Sequence, residues 1–216
     1  MPSSHPYQLN EILELIIETK PGKLLDIGPG FGKYGFLARE YLELWQPGSV
    51  YGVRTHRIDA IEAFEAYITP LHRLIYDKIY TGDARSVLPG ITDRYDLILM
   101  IDVFEHFSFE DGLKVLEHCR RCGRNILISV PRIMSVQEDV FDNPYEIHRY
   151  NWKRKDFKGI KDKFFVYNSK STICYIGEES HKIGSILKKR KRRKVLVRLL
   201  ELTGLKRPLK ALGIGQ

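Results

Sequence analysis

The chain contains little cysteine and no long apolar run, and each of these absences excludes a class of protein. Three cysteines among 216 residues cannot form a disulfide framework, which is typical of a reducing compartment. No apolar run approaches the roughly 18 residues that a membrane-spanning helix needs. The first residues also lack the basic-then-apolar layout of a secretory signal, so we expect a cytoplasmic protein.

Acidic residues are scarce at the C-terminal end. Residues 182–216 contain 12 of the 35 Lys and Arg residues but one of the 27 acids, which gives this segment a net charge of +11. Residues 1–181 carry a net charge of −3. We therefore predict a mildly acidic globular domain over residues 1–181 and a basic, amphipathic tail over residues 182–216.

Short apolar runs alternate with helical periodicity along the predicted domain, which is typical of βαβ units around a parallel sheet. Two further β-type runs, 163–167 and 171–175, flank Asn168-Ser169-Lys170 and predict an antiparallel hairpin. The predicted fold is α/β, with a mostly parallel sheet and a C-terminal hairpin. The predicted parallel strands are 23–27, 50–53, 78–81, 96–101 and 125–130, and the predicted helices are about 9–17, 33–44, 59–67 and 110–121.

A glycine-rich turn follows the first predicted strand. Asp26 is followed by Gly28, Gly30 and Gly32, and glycines let a backbone approach a ligand closely. Residues 30–35 also spell the dinucleotide motif G-x-G-x-x-G, which is weak evidence alone. The carboxylate of Asp26 would repel a pyrophosphate and attract a cationic ammonium or sulfonium group. Asp26 could also simply cap the turn.

Three motifs in order resemble class I S-adenosylmethionine-dependent methyltransferases. Leu25 to Gly32 resembles the first motif of that family, and Thr81-Gly82-Asp83-Ala84 resembles the acidic loop after its third strand. Residues 95–107 resemble the fourth-strand motif, of the D-x-x-E-H type found in small-molecule methyltransferases. The resemblance covers about residues 8–180 and implies a Rossmann-like methyltransferase sheet that ends in an antiparallel hairpin.

The resemblance also implies roles for particular residues. Asp26 and the glycines would hold the methionine part of S-adenosylmethionine, and Asp102 would line the pocket beside it. Asp83 would face the adenine amino group, with Ala84 supplying a backbone contact. An Asx-turn at Gly82-Asp83 is the alternative interpretation of Asp83.

The sequence departs from the family after the second predicted strand, where an acid usually accepts hydrogen bonds from both ribose hydroxyls. Arg54 stands there, and arginine has no acceptor. Three explanations remain: Thr55 or Asp59 holds the ribose, cofactor binding is weakened or lost, or Arg54 reads the 2′-phosphate of NADP. The NADP explanation is disfavoured because no tyrosine has a lysine four residues later, as short-chain reductases require.

His106 and His148 are the candidate catalytic bases. His106 follows the fourth strand, and His148 lies after the fifth strand in a segment rich in Tyr, Trp and Glu, as expected of a substrate lid. His106 could instead cap the neighbouring helix, and His148 could pair with Glu146. No metal site is expected, because Cys119 and Cys122 have no second Cys or His pair beside them.

The basic run Lys188 to Lys194 precedes an apolar stretch and could contact either an anionic membrane surface or RNA phosphates. A solvated helix that packs on a partner subunit is the simpler alternative. The sequence therefore predicts a methyltransferase that acts on a small-molecule or membrane-linked acceptor, in the cytoplasm or peripherally at a membrane. The alternatives are a catalytically degenerate methyltransferase-fold binding protein and an RNA methyltransferase that uses the basic tail.

Overall fold

The computed structural model describes residues 4–134 and 142–202, with side chains up to residue 200. The chain divides into two compact units, one that ends at Ser180 and one that begins at His181. The strands are β1 Lys23–Ile27, β2 Arg57–Glu62, β3 Lys78–Thr81, β4 Tyr95–Ile101, β5 Gly123–Pro131, β6 Lys163–Tyr167 and β7 Ser171–Gly177. The helices are α1 Leu9–Thr19, α2 Lys33–Arg39, α3 Pro70–Ile75, α4 Ala84–Val87, α5 Phe109–Cys122 and α6 Ser180–Leu202.

One seven-stranded sheet, in the order β3-β2-β1-β4-β5-β7-β6, organises the first unit. The pairs from β3 to β5 are parallel, whereas β7 runs antiparallel to both β5 and β6. β1 and β4 are buried along almost their whole length, as expected for central strands that are covered on both faces. The predicted parallel sheet with its C-terminal hairpin is confirmed.

The helices bury the apolar faces that their sequences predict. α1 buries Ile12, Leu15 and Ile16, which are three and four residues apart. α5 begins at the N-cap Ser108, whose hydroxyl accepts a hydrogen bond from the amide of Asp111 at 3.1 Å. Cys119 and Cys122 face the core from the last turn of α5, which explains their spacing without a ligand role.

The predicted second strand is wrong. Residues 50–53 are exposed, and Gly48 and Gly52 take left-handed conformations there, so this stretch forms turns. β2 instead begins at Arg57 and overlaps the first residues of the predicted helix 59–67. Its alternating charged and apolar residues obscured a strand whose acid, Asp59, is buried. Asp59 accepts a hydrogen bond from the Tyr95 hydroxyl at 2.7 Å and pairs with Arg57, so burial of its charge is compensated.

From His181 onward, helix α6 makes up the described part of the C-terminal unit, and residues 203–216 of the predicted tail lie outside the described residues. Basic residues occupy its middle, and Val195, Leu196 and Leu199 are exposed further along. The polar and apolar residues follow one another along the axis instead of occupying opposite faces, so the predicted amphipathic character is not found for the helix as a whole. Within the described residues, no helix is both long and apolar enough to cross a bilayer.

Candidate functional site

A cavity of about 670 Å³ opens at the carboxyl ends of the parallel strands. β1 and β4 are neighbours there, although β2 and β3 separate them in sequence. Such a switch point is where open α/β sheets bind their ligands. The cavity is lined by residues 4–6, by the turn after β1, by the end of β2 and start of α4, and by the segments after β4 and β5.

The glycine turn presents bare backbone to this cavity. Gly28 has a φ of 68°, and its amide donates a hydrogen bond to the carbonyl oxygen of Ile61 at 2.9 Å. A Cβ at Gly28 would lie 2.4 Å from Cγ2 of Val103, so no larger residue fits without rearrangement. Gly28 and Gly30 line the cavity, whereas Gly32 stands outside it at the N-cap of α2. Gly30 is fixed by buried His72, whose Nε2 lies 2.7 Å from the Gly30 carbonyl oxygen.

Asp26 lines the cavity from the penultimate position of β1 and is almost fully buried. The hydroxyl of Tyr76 donates a hydrogen bond to its Oδ2 at 2.7 Å. Burial raises the pKa of Asp26 to about 6, and the hydrogen bonds from Tyr76 and the Gly35 backbone limit that rise. This carboxylate gains most from a cationic ligand group, because such a group would offset the cost of its burial.

Glu62 ends β2 and lines the same cavity. It is 6% exposed, and its Oε1 accepts a hydrogen bond from the amide of Phe64 at 2.9 Å. Burial raises the pKa of Glu62 to about 7. The acid expected at the tip of the second strand is therefore present, and its apparent replacement by Arg54 followed from the misplaced strand.

Three residues were proposed to contact the ribose or a 2′-phosphate, and none of them is in the cavity lining: Arg54, Thr55 and Asp59. Arg54 forms an ion pair with Asp77 at 2.9 Å and also donates to the Leu74 carbonyl oxygen. Thr55 is exposed, and its amide donates to Oε1 of Glu43 at 3.0 Å. Asp59 faces Tyr95 and Arg57, as described above. The prediction that Thr55 or Asp59 holds the ribose is therefore wrong. The NADP explanation is not supported either, because Arg54 does not line the cavity.

Asp83 and Ala84 line the cavity at the start of α4. Asp83 is the N-cap, and its Oδ1 accepts a hydrogen bond from the amide of Arg85 at 2.8 Å. Its Oδ2 pairs with the guanidinium of Arg85 at 2.7 Å. Although burial raises the pKa of Asp83, the bonds from Arg85 hold it below its usual value. The alternative interpretation of Asp83 as a turn-capping residue thus has direct geometric support, and a ligand would share the carboxylate with Arg85.

Asp102 follows β4 in a left-handed conformation, with a φ of 54°. Its Oδ2 accepts hydrogen bonds from Nε2 of Gln8 at 2.6 Å and from the amide of His5 at 3.2 Å. Its Oδ1 is buried and has no hydrogen-bond partner among the described residues. Burial raises the pKa of Asp102. The N-terminal segment therefore forms one wall of the cavity and leaves one carboxylate oxygen available to a ligand.

The two candidate bases lie side by side, with ring centroids 5.1 Å apart. Nδ1 of His106 is 3.2 Å from the Ile147 carbonyl oxygen, so His106 contacts the segment after β5 and does not cap α5. Burial lowers the pKa of His106 to about 4, which makes its imidazole a weak base. Glu105 joins them, and one ligand atom from each of Glu105, His106 and His148 lies within 4.8 Å of the other two.

Sequence reasoning missed Glu62, Gln8 and His72, and it placed Glu105 in the fourth-strand motif without giving it a role. Glu62 was missed because the alternating charged and apolar residues of β2 obscured the strand that it ends. Buried Gln8, which also accepts a hydrogen bond from the Ser129 hydroxyl, has no local signal, because its partners lie 94 and 121 residues away. Contacts between residues so far apart in the sequence form only in the tertiary fold, so the sequence alone does not predict them.

No protein-family model and no curated protein matches this chain. Solved structures do match it. An O-methyltransferase family protein from Burkholderia thailandensis aligns with a TM-score of 0.54 and 11% identity, over 79% of this chain and 56% of its own. The N-terminal domain of EvdMO1, solved in the presence of S-adenosylhomocysteine (SAH) and D-fucose, aligns with a TM-score of 0.56 and 13% identity, over 81% of this chain and 84% of its own.

A SAM-dependent methyltransferase from Archaeoglobus fulgidus aligns with a TM-score of 0.54 and 18% identity, over 74% of this chain and 71% of its own. The present chain thus spans about half the length of the Burkholderia protein and most of the other two. At these identities the likeness concerns backbone architecture. The chain has the fold of the class I S-adenosylmethionine-dependent methyltransferases.

Proposed function

We propose that the protein is an S-adenosylmethionine-dependent methyltransferase that acts on a hydroxyl group of a small-molecule or membrane-linked acceptor. The observation that carries the proposal is the placement of Asp26, Gly28 and Glu62 around one cavity at the switch point of the sheet. A bare glycine backbone between two buried carboxylates suits a ligand with cationic groups at one end and a diol further along.

The donor set fits this cofactor. Asp26 and the unpartnered Oδ1 of Asp102 are suited to the cationic methionine end, which carries an ammonium and a sulfonium. Glu62, once deprotonated, accepts hydrogen bonds from both ribose hydroxyls. Ala84 and Asp83 line the part of the cavity assigned to the adenine, with Asp83 shared with Arg85. The left-handed Gly28 lets the backbone come close without a Cβ.

The residues of the chain have three tasks in the reaction. S-adenosylmethionine, when bound, supplies a methyl group from its sulfonium, and the rest of the cofactor leaves as a neutral thioether. Residues 4–6 and the segment after β5 wall the cavity and exclude water. The carboxylates orient the cofactor, which lowers the entropic part of the barrier. His148 lines the cavity and accepts the acceptor's proton, a task for which the weakly basic His106 is poorly suited.

A hydroxyl acceptor is proposed because amines need little base assistance, whereas this cavity places two histidines and a buried glutamate together. The neighbours support the same choice by analogy, since one of them is described as an O-methyltransferase family protein. The basic helix α6 supports recruitment to an anionic membrane that holds a lipid-linked acceptor.

The test is methyl transfer from labelled S-adenosylmethionine to a panel of hydroxylated metabolites and lipid-linked sugars. We expect transfer to at least one acceptor class, and a loss of at least a hundredfold in kcat for His148→Ala with SAH binding retained. His181→Ala, which alters an exposed histidine of the C-terminal unit, should leave the rate unchanged. SAH binding without transfer to any acceptor class would favour the degenerate binding protein, and transfer to RNA alone would favour the RNA methyltransferase.

A further inference from the structure

The cavity contains a cluster that cofactor binding does not use. Glu105 and His106 lie on the short helical turn after β4, and His148 lies after β5. Their ligand atoms all fall within 4.8 Å of one another. Ligands of one divalent ion in tetrahedral geometry are about 3.5 Å apart, so small side-chain movements within the cluster would close the set. We propose that Glu105, His106 and His148 bind one divalent transition-metal ion.

Glu105 is a buried carboxylate with one oxygen that has no partner among the described residues. This side chain is 2% exposed, and its Oε2 has no hydrogen-bond partner in the part of the chain that the structure describes. A buried carboxylate without such compensation is costly, and metal coordination is one of the arrangements that offset the cost. The unpartnered oxygen belongs to the carboxylate that lies beside the two histidines, so a cation bound by all three side chains would offset the cost of burying it.

Backbone hydrogen bonds hold the cluster in place. The amides of Arg149 and Tyr150 both donate to the carbonyl oxygen of Glu105, at 2.9 and 3.2 Å. Nδ1 of His106 lies 3.2 Å from the carbonyl oxygen of Ile147. Metal-bound histidines commonly donate their other ring N–H to a backbone carbonyl, which orients the ring and leaves Nε2 for the metal. These contacts join the two segments that supply the ligands, so little ordering is needed when the ion binds.

The donor set indicates the kind of ion. Two imidazoles and one carboxylate suit Mn²⁺, Fe²⁺, Co²⁺ or Zn²⁺, whereas Mg²⁺ and Ca²⁺ prefer oxygen ligands. Three protein ligands leave coordination positions open, as in catalytic metal sites. A metal site here differs from the expectation of no metal, which rests on the spacing of Cys119 and Cys122.

A metal ion at this site would extend the proposed function. A catalytic use of the ion rests on the proposed methyltransferase activity, whereas binding of the ion by the three side chains does not. An ion beside the cofactor part of the cavity would bind and polarise an acceptor hydroxyl. In the transfer, one O–C bond forms, the sulfonium C–S bond breaks and the hydroxyl proton passes to water, because His148, the base proposed for the metal-free protein, would then be a ligand of the ion. The acceptor class is therefore narrowed to compounds with a hydroxyl that can ligate a metal, such as a vicinal diol.

The experiment is titration of the metal-free full-length protein with Mn²⁺, followed by electron paramagnetic resonance, and with Zn²⁺, followed by calorimetry. We expect one ion per chain, and binding at least tenfold weaker in Glu105→Gln and in His148→Ala. His181→Ala is the matched control and should bind like the wild type. Mg²⁺ should bind at least tenfold more weakly than Mn²⁺.

Substoichiometric binding, or equal affinity in wild type and His148→Ala, would overturn the site. Because Glu105 is buried, thermal unfolding must first show that each variant is folded. His148 is partly exposed, so His148→Ala tests the site even if Glu105→Gln does not fold. SAH titration of the same samples separates the two proposals. SAH binding without metal binding refutes the metal site alone, whereas metal binding without SAH binding refutes the proposed function and leaves the site standing.

Discussion

Glu62 lies in an environment that penalises its charged form. Burial raises its pKa from 4.5 to about 7, whereas the unfolded chain exposes it to water. A carboxyl group with a raised folded-state pKa contributes stability that is fully present below pH 4.5. That contribution is lost as the pH rises through about 7. Glu62 is therefore expected to reduce the stability of the ligand-free protein at pH 8.

Glu62→Gln should remove this penalty. Relative to wild type, the free energy of unfolding of the variant should rise between pH 4 and pH 8 by up to about 3 kcal/mol, as measured by urea unfolding. Comparison with wild type cancels the opposite contribution of His106, whose pKa is lowered to about 4 by burial. The exposed Glu65→Gln is the control. An equal difference at both pH values would contradict the account.

The approach of Gly28 to Val103 makes a second prediction at this scale. Gly28→Ala should lower the free energy of unfolding by about 2–4 kcal/mol, because a Cβ there combines a left-handed φ with a steric clash. Gly52→Ala has a similar φ of 80° and no atom within 4 Å, so it should cost about 1 kcal/mol. Val103→Ala in the Gly28→Ala background should recover the steric part. Equal losses in the two single variants would refute the argument.

At the scale of elements, the side chain of Arg39 fixes the connection between α2 and β2. Its side chain is 11% exposed and pairs with Glu43 at 2.8 Å and Asp77 at 2.5 Å. It also donates to the carbonyl oxygens of His56 and Ile75, at 2.6 and 2.9 Å. This one guanidinium links α2, the end of α3 and the residues just before β2. The exposed segment 45–55 can therefore lack regular structure without displacing β2.

Arg39→Met and Arg54→Ala should differ sharply in stability. Arg39→Met leaves the buried Glu43 without its ion-pair partner and should cost about 3–5 kcal/mol in urea unfolding. Arg54 is 45% exposed in its pair with Asp77, so Arg54→Ala should cost less than about 1 kcal/mol. A comparable loss in both variants would show that Arg39 does not organise this region.

The same region shows where sequence reasoning succeeds and where it fails. β4, β5 and the β6–β7 hairpin were predictable because continuous or alternating apolar runs encode them directly. β2 was not, since only in the folded sheet do Arg57 and Asp59 neutralise each other and Asp59 accept a hydrogen bond from the Tyr95 hydroxyl. The glycine turn and Asp102 follow strands that were placed correctly, so their position at the cavity was predictable. Glu62 was missed because its strand was misplaced by seven residues.

At the scale of the whole molecule, charge is divided along the sequence. The predicted domain is slightly acidic, whereas the segment from residue 182 carries +11. Four substitutions to Gln, at Lys188, Lys189, Arg192 and Arg193, should therefore weaken binding to vesicles rich in anionic lipid by at least tenfold, since each cation near such a surface contributes roughly 1 kcal/mol. SAH affinity should be unchanged.

Vesicle cosedimentation at two salt concentrations measures this, with neutral vesicles as the control. Wild-type binding that is no stronger to anionic than to neutral vesicles would contradict the membrane proposal. Binding to RNA but not to anionic vesicles would favour the RNA methyltransferase instead.

Calorimetric titration with SAH tests the central claim most directly, because it asks whether the cavity holds this cofactor through Glu62. We predict micromolar binding by the wild type, at least tenfold weaker binding by Glu62→Ala, and affinity within about twofold of wild type for Arg54→Ala, since each hydrogen bond to a charged group contributes about 1.5–3 kcal/mol. Absence of SAH binding by the wild type, or equal affinity in wild type and Glu62→Ala, would contradict the account.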